Sequence, residues 1–399
     1  MSSASATAAT AATAPFHSAS AVSKYIPRIV SKTDQNGKLE FTIDRINVSL
    51  ANALRRVILS DIPTLVFRVY PHSECRSTIT VNTSRIHNQI LNQRLSCIPI
   101  HITDQTFEFQ DYQAEINATA DGNEIRYVTT KDFRVKNKTN GKYLTDVKVH
   151  EIFPPNPITG DYIEFARLLP KMSEYSEGEQ LAMTCDLDIG SAREDGMFNV
   201  VCTCAYSMTM DPAKVDEAWR IKEAELVKDG VAAIGSEEMK AQRKNWALLD
   251  AQRFTKEDSF DFVLRSAGVF TCPVIVKKAC AIMQRKLRTF SDAIDADTVP
   301  ILATEVSGVK TTMDNCYDII LENEDYTLGK ALEFYLYENY YVQEKKLNFC
   351  AFKKLHPHDS SSRLRLAYLT NVSETNVQND LKNACKDLRD VYIAIEKMF

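Results

Sequence analysis

The chain has 399 residues, 44% hydrophobic and 25% charged, with a formal net charge of −5. That length supports two or three domains with sizeable cores. The charge argues against a protein that holds DNA or RNA by itself, since backbone binding is mostly neutralisation of phosphates by Lys and Arg, and no run of about 18 apolar residues predicts a membrane span.

Residues 1–23, MSSASATAATAATAPFHSASAVS, carry no charged side chain. They lack the basic start of a secretory signal and the arginines of a transit peptide. Such small side chains bury too little area to offset chain entropy, so a disordered tail is expected. KLEFTIDRINV alternates in part, as a strand does. In SLANALRRVILSDIP, Leu50, Ala53, Leu54, Val57 and Ile58 recur at helical spacing and predict one apolar face. Ser49 stands at the N-cap position and Pro63 marks the stop. Arg55 and Arg56 sit side by side just off that stripe.

TLVFRVYPHSE reads as extended. Residues 71–210 are rich in β-branched residues and turn signals, with little helical period, and read as a mostly β domain. EIFPPNPITGD within it reads as a surface loop. Residues 211–256 are charged and helix-prone, with Pro212 suited to a first turn, and read as a solvated helical insertion. FDFVLRS then predicts a strand. Pro273 opens a helix with Ile275, Ala279, Ile282, Met283, Leu287 and Phe290 on one side. A loosely patterned connection runs from about Ser291 to Thr312. The chain closes with strand CYDIILEN, helix YTLGKALEFYLYEN, strands NFCAFKKLHP and RLRLAYLT, and a long helix. Val377, Leu381, Ala384, Leu388, Val391, Ile395 and Met398 alternate along that helix at steps of four and three, a packing seam.

The second part of the chain echoes the first. SLANALRRVIL lies on TLGKALEFYL, so that Leu50, Ala53, Leu54 and Ile58 fall on Leu328, Ala331, Leu332 and Leu336. In both, the helix lies between strands, and each half ends in a strand followed by a long amphipathic helix. Every apolar stripe needs a partner face, and four stripes can satisfy one another across a pseudo-twofold axis. The expected fold is therefore α+β: two related units forming an intramolecular pseudo-dimer, the first interrupted by a mostly β insertion.

Ten cysteines are scattered without a C-x-x-C pair, which reads as a reduced intracellular protein. Cys202 and Cys204 would share one face of a strand. His356, His358 and Asp359 of HPHDS make a poor metal site, because Pro357 and the one-residue spacing oppose it and no third histidine is near in sequence.

FTIDRINVSLANALRRVILSDIPTLVF closely resembles the signature of the alpha-like, third-largest subunit of multisubunit DNA-directed RNA polymerases. NQILNQRLSCIPI resembles the family's next segment, and FDFVLRSAGVFTCPVIVKKACAIMQRKL its return to the dimerisation domain. ENEDYTLGKALEFYL, with LHPHDSSSRLRLAYLT, resembles the small partner subunit, the eleventh by size in eukaryotes. Gln93 and Ser96 depart from the usual His and Gly of the second segment, and Tyr326 and Lys330 from the usual His and Asn of the last. The resemblance implies a dimerisation unit of 24–70 with 257–298, an insertion at 71–210, a helical insertion at 211–256, a linker at 299–312 and a second, eleventh-subunit-like unit at 313–399. One fused chain of this kind resembles those of nucleocytoplasmic large DNA viruses, implying a virion or host-cell location.

The resemblance further implies a non-catalytic assembly platform whose partners are the two largest subunits and the small tenth-subunit-like zinc protein, with no sequence-specific nucleic-acid contact. Leu50, Ala53, Leu54, Val57, Leu328, Ala331, Leu332, Leu336, Leu381, Leu388 and Ile395 would form the pseudo-dimer interface. Arg55, Arg56 and Arg94 would dock the large subunits, where planar guanidinium forks suit carboxylates and carbonyls. Read without the family, the Arg pair is a solvated surface feature. Some cellular relatives hold zinc or an iron–sulfur cluster through cysteines of the insertion. That spacing is absent, so no metal, cofactor or catalytic residue is expected. The alternative is a free-standing structural, interaction or virion protein that kept the fold.

Overall fold

Asn36 and Gly37 both take positive φ, 52° and 71°, as a two-residue hairpin turn requires. They join β1 (Arg28–Gln35) to β2 (Lys38–Asp44) in a computed structural model that describes residues 25–399 except 105, 106, 174, 176, 232 and 304–312. The tail expected at 1–23 and most of the expected linker lie outside the described residues. Alternation along β2 buries Leu39, Phe41 and Ile43. Helix α1 (Val48–Ser60) follows, capped by Asn47, whose side chain accepts from the Ser49 N–H; the cap is thus two residues earlier than expected.

The insertion holds β3 (Thr64–Phe67), β4 (Ser77–Asn82), α2 (Asn88–Ser96), β5 (Tyr112–Thr119), β6 (Arg126–Thr129), β7 (Phe133–Asn137), α3 (Asp146–Ile152), β8 (Glu164–Leu168) and β9 (Gln180–Gly190). Its main sheet runs β3-β9-β5-β7, β4 also pairs with β9, and β6 pairs with β8. Its own core includes Phe67, Leu91, Leu95, Phe133, Phe165 and Met183. Two helices sit where none was expected. Leu91 and Leu95 of α2 are one turn apart and both buried, a signal too short to rise above the surrounding strands.

The chain returns in β10 (Val201–Met210), passes through the charged helices α4 (Pro212–Lys228) and α5 (Glu237–Leu248), and continues as β11 (Thr255–Ser266) and α6 (Cys272–Asp295). α6 absorbs the start of the expected connection. The insertion's limits also differ from the expected 71–210. β3 pairs with β9 in the insertion's sheet, whereas β10 pairs with β11 in the first unit's sheet. Membership is decided by hydrogen-bond partners far away in sequence, which composition does not reveal. A bulge between Val201 and Thr203 puts Cys202 outside and Cys204 inside, so the two do not share a face.

The second unit comprises β12 (Ile301–Ala303), β13 (Cys316–Glu322), α7 (Tyr326–Leu336) with a π-helical extension over 337–343, β14 (Leu347–Lys353), β15 (Ser361–Tyr368) and α8 (Glu374–Glu396). β12 makes a strand of three residues that were expected to be linker. The two units share one topology. Their sheets run β1-β2-β11-β10 and β12-β13-β15-β14, all antiparallel. α7 takes the place of α1, and α8 that of α6.

Candidate functional site

The interface between the units is built by the four helices, α1 against α7 and α6 against α8. Leu50, Ala53, Leu54, Val57, Leu328, Ala331, Leu332, Leu336, Leu381, Leu388 and Ile395 are all buried to 1% exposure or less, and all belong to one apolar core continuous across both units. Tyr392 is buried there too, and its hydroxyl donates to the Leu50 carbonyl across the interface at 3.2 Å. The apolar spacing of α8 passes over this residue. Its ring fills the core while its polar tip needs an acceptor.

The pseudo-symmetry extends to local backbone. Arg45 and Asn323, at matching places after β2 and β13, both take left-handed φ, 60° and 57°. Asn47 and Asp325 are the matching caps of α1 and α7. The contacts across the axis are chemically different. Arg56 donates from Nε to the Thr327 hydroxyl at 2.9 Å and from Nη2 to Asp325 at 2.9 Å. At the matching place Phe334 meets the ring of Tyr25 edge-on, with centroids 5.1 Å apart. Burial, reinforced by Asp258 and Glu338, pushes the Tyr25 phenol up to about 12.

Beside the contact of Arg56 with Asp325 lies a charged junction of the first unit, the insertion and the second unit. Asp61, just past α1, is 7% exposed and faces Arg193 of the insertion at 3.2 Å and Lys286 of α6 at 3.5 Å. Lys286 also binds Glu324 at 3.0 Å, and Arg193 reaches Asp325 at 3.6 Å. Burial opposes ionisation of Asp325, but hydrogen bonds from Thr327 and the charges of Arg56 and Arg193 outweigh it and hold the carboxyl near 2. Glu324 goes the other way: burial pushes it up despite Lys286.

These opposite shifts set an acid response. Asp325, depressed in the folded state, contributes stability that is present above its ordinary value of 3.8 and is lost as pH falls toward 2. Asp325→Asn is therefore expected to lower stability by on the order of 2 kcal/mol at neutral pH, with the gap closing between pH 3.8 and 2. Urea midpoints of both proteins across that range check it.

The expected docking arginines are not grouped. Arg56 was expected to reach outward, yet its fork is spent on the second unit, because the α7 cap and its carboxylate lie directly opposite. Arg55 folds back onto Asn52 Oδ1 of its own helix at 2.9 Å. Arg94, half-buried in the insertion, donates to the Glu164 carbonyl at 2.9 Å. The His356 and His358 rings lie 5.1 Å apart, but among the described residues no group of three His, Cys, Asp or Glu is placed to hold a metal. No helix among them is long and apolar enough to cross a membrane.

Two family profiles, both described as the RNA polymerase Rpb3/Rpb11 dimerisation domain, match residues 40–287 and 316–397, one in each unit. Human "DNA-directed RNA polymerases I and III subunit RPAC1" is 23% identical over 301 residues, covering 66% of this chain and 83% of the relative. Arabidopsis thaliana "DNA-directed RNA polymerases II, IV and V subunit 3" is 22% identical over 311 residues, covering 68% and 93%. Subunit Rpo3 of the Pyrococcus horikoshii DNA-directed RNA polymerase is 30% identical over 105 residues, covering 25% and 37%.

Proposed function

The chain belongs to the RNA polymerase Rpb3/Rpb11 dimerisation-domain family, and from that premise we propose that it is a non-catalytic assembly platform of a DNA-directed RNA polymerase in which one polypeptide fills both alpha-like positions. The observation that carries this reading is the duplication: each unit has its own family match, the strand orders are the same, and one core joins the two. An obligate interface of this kind is large and apolar, and the covalent link keeps the partners at high effective concentration.

In this reading the chemistry of nucleotide addition belongs to the two largest subunits, which bind this chain, as does the small zinc-binding tenth-subunit-like protein. Arg55, Arg94 and the exposed edge of Arg56 contact the large subunits, and Arg56 also locks the second unit in place. A fused platform fits a polymerase encoded by a large DNA virus, acting in the virion or the infected cell. Affinity purification of the tagged chain from its source tests the reading. The two largest polymerase subunits are expected with it, and Arg55→Glu combined with Arg94→Glu is expected to lose them while remaining folded. Recovery of the chain alone, or with unrelated structural proteins, would overturn it.

A further inference from the structure

α6 and α8 run antiparallel, tied by Gln284 to Glu396 at the end of α8 and by Lys382 to Asp295 at the end of α6. Between those ties a cleft of about 280 Å³ opens on the outer side of the pair. Its floor includes Leu287 and Cys385, both buried. Its walls carry Arg288, Lys382, Lys386 and Arg389 against the carboxylate of Asp292. Lys382, Lys386 and Arg389 recur at four and three residues, so they line one face of α8.

Three of these cations have no carboxylate partner among the described residues. Lys382 is paired with Asp295 at 2.5 Å, but Arg288, Lys386 and Arg389 make no ion pair. Arg288 and Lys386 are exposed. Arg389 is different: its Nε is buried and without a hydrogen-bond partner. A buried donor left unpaired is costly, so water or an arriving acceptor must satisfy it. In a chain of net charge −5, this is a local excess of positive charge with an apolar floor and an unfilled donor.

We infer that the α6–α8 groove docks an acidic polypeptide segment of a partner protein. Carboxylates answer the guanidinium forks in a bidentate fashion. The cation row along α8, Lys382 to Arg389, spans only eight residues, roughly 10 Å, and Asp292 and Asp390 border it. A nucleic-acid backbone draws its affinity from many phosphates along a longer basic surface. The chain's own segments outside the described residues do not supply the charge. Residues 1–23 carry no charged side chain, and 304–312 carry one Glu against one Lys. The inference stands independently of the polymerase reading.

The probe is a fluorescein-labelled peptide of alternating Glu and Ser, titrated against the full-length chain by fluorescence anisotropy at low salt. Its Lys–Ser counterpart and a labelled oligothymidylate serve as comparisons. The Glu–Ser peptide is expected to bind, and the Lys–Ser peptide not to. Arg288→Gln with Lys386→Gln, both exposed and therefore benign to folding, is expected to weaken binding about tenfold, because neutralising cations removes the electrostatic complementarity. Adding Arg389→Gln is expected to weaken it further, with the melting temperature followed in parallel. Absence of peptide binding, or equal binding by the double variant, would overturn the inference. So would oligothymidylate binding more tightly than the peptide in a way the same double variant abolishes, which would assign the groove to nucleic acid.

Discussion

Leu388→Asp is expected to leave the full-length chain unable to hold its native state at physiological temperature. Leu388 is fully buried on α8, in the core shared by both units. Losing its methyl groups alone costs about 2–5 kcal/mol through lost burial and the cavity left behind. The carboxyl group adds a polar group to this apolar core, worth a further ~1–3 kcal/mol even after it protonates. A folded domain commonly has about 5–15 kcal/mol in total. Soluble yield and thermal midpoint read the effect. Leu388→Met, which conserves volume, is expected to cost under about 1.5 kcal/mol. A wild-type melting temperature for Leu388→Asp would mean that the two units do not depend on this seam.

Lys286→Met is expected to give the largest loss of any substitution in the charged junction. Its ammonium lies between Asp61 and Glu324, whose side chains are 7% and 19% exposed. Removing it leaves two shielded carboxylates near one another, a loss on the order of 3 kcal/mol for one partner of a buried pair. The sign of the pH dependence is distinctive. Glu324 is already pushed up by burial, and without Lys286 it rises further. Its ionised form then costs stability above its folded value, and that cost disappears as pH falls and the group takes up a proton. The variant is therefore expected to be weakest at neutral pH and to regain ground on mild acidification. Glu324→Gln in the same background is expected to restore much of the loss at neutral pH. Urea midpoints across the acid range, for the single and double variants, decide it. A loss that ignores both pH and Glu324→Gln would mean that the methionine disturbs packing and not charge.

The helices of the interface were legible because amphipathic spacing is local. Leu50, Ala53, Leu54 and Val57, and their echoes at Leu328, Ala331, Leu332 and Leu336, need only a few turns of sequence to be seen. The units' shared order of strands and helices was legible for the same reason. What escaped was whatever depends on partners distant in sequence. β3 and β10 changed domain because their hydrogen bonds run to β9 and β11. Arg56 looked like a surface group because Asp325 and Thr327 lie some 270 residues further on. The junction of Asp61, Arg193, Lys286 and Glu324 joins four separate segments, none unusual alone. Tyr392 was passed over because a tyrosine in an apolar seam reveals its value only when the Leu50 carbonyl is found beside it.

The central claim is that one chain occupies both alpha-like positions of a polymerase. The most direct measurement is the subunit stoichiometry, by native mass spectrometry, of the transcribing complex purified through one of its two largest subunits. The expected result is one copy of this chain for each copy of either large subunit, with no separate small dimerisation-domain subunit in the complex. Two copies of this chain, or one copy accompanied by a separate eleventh-subunit-like protein, would contradict it.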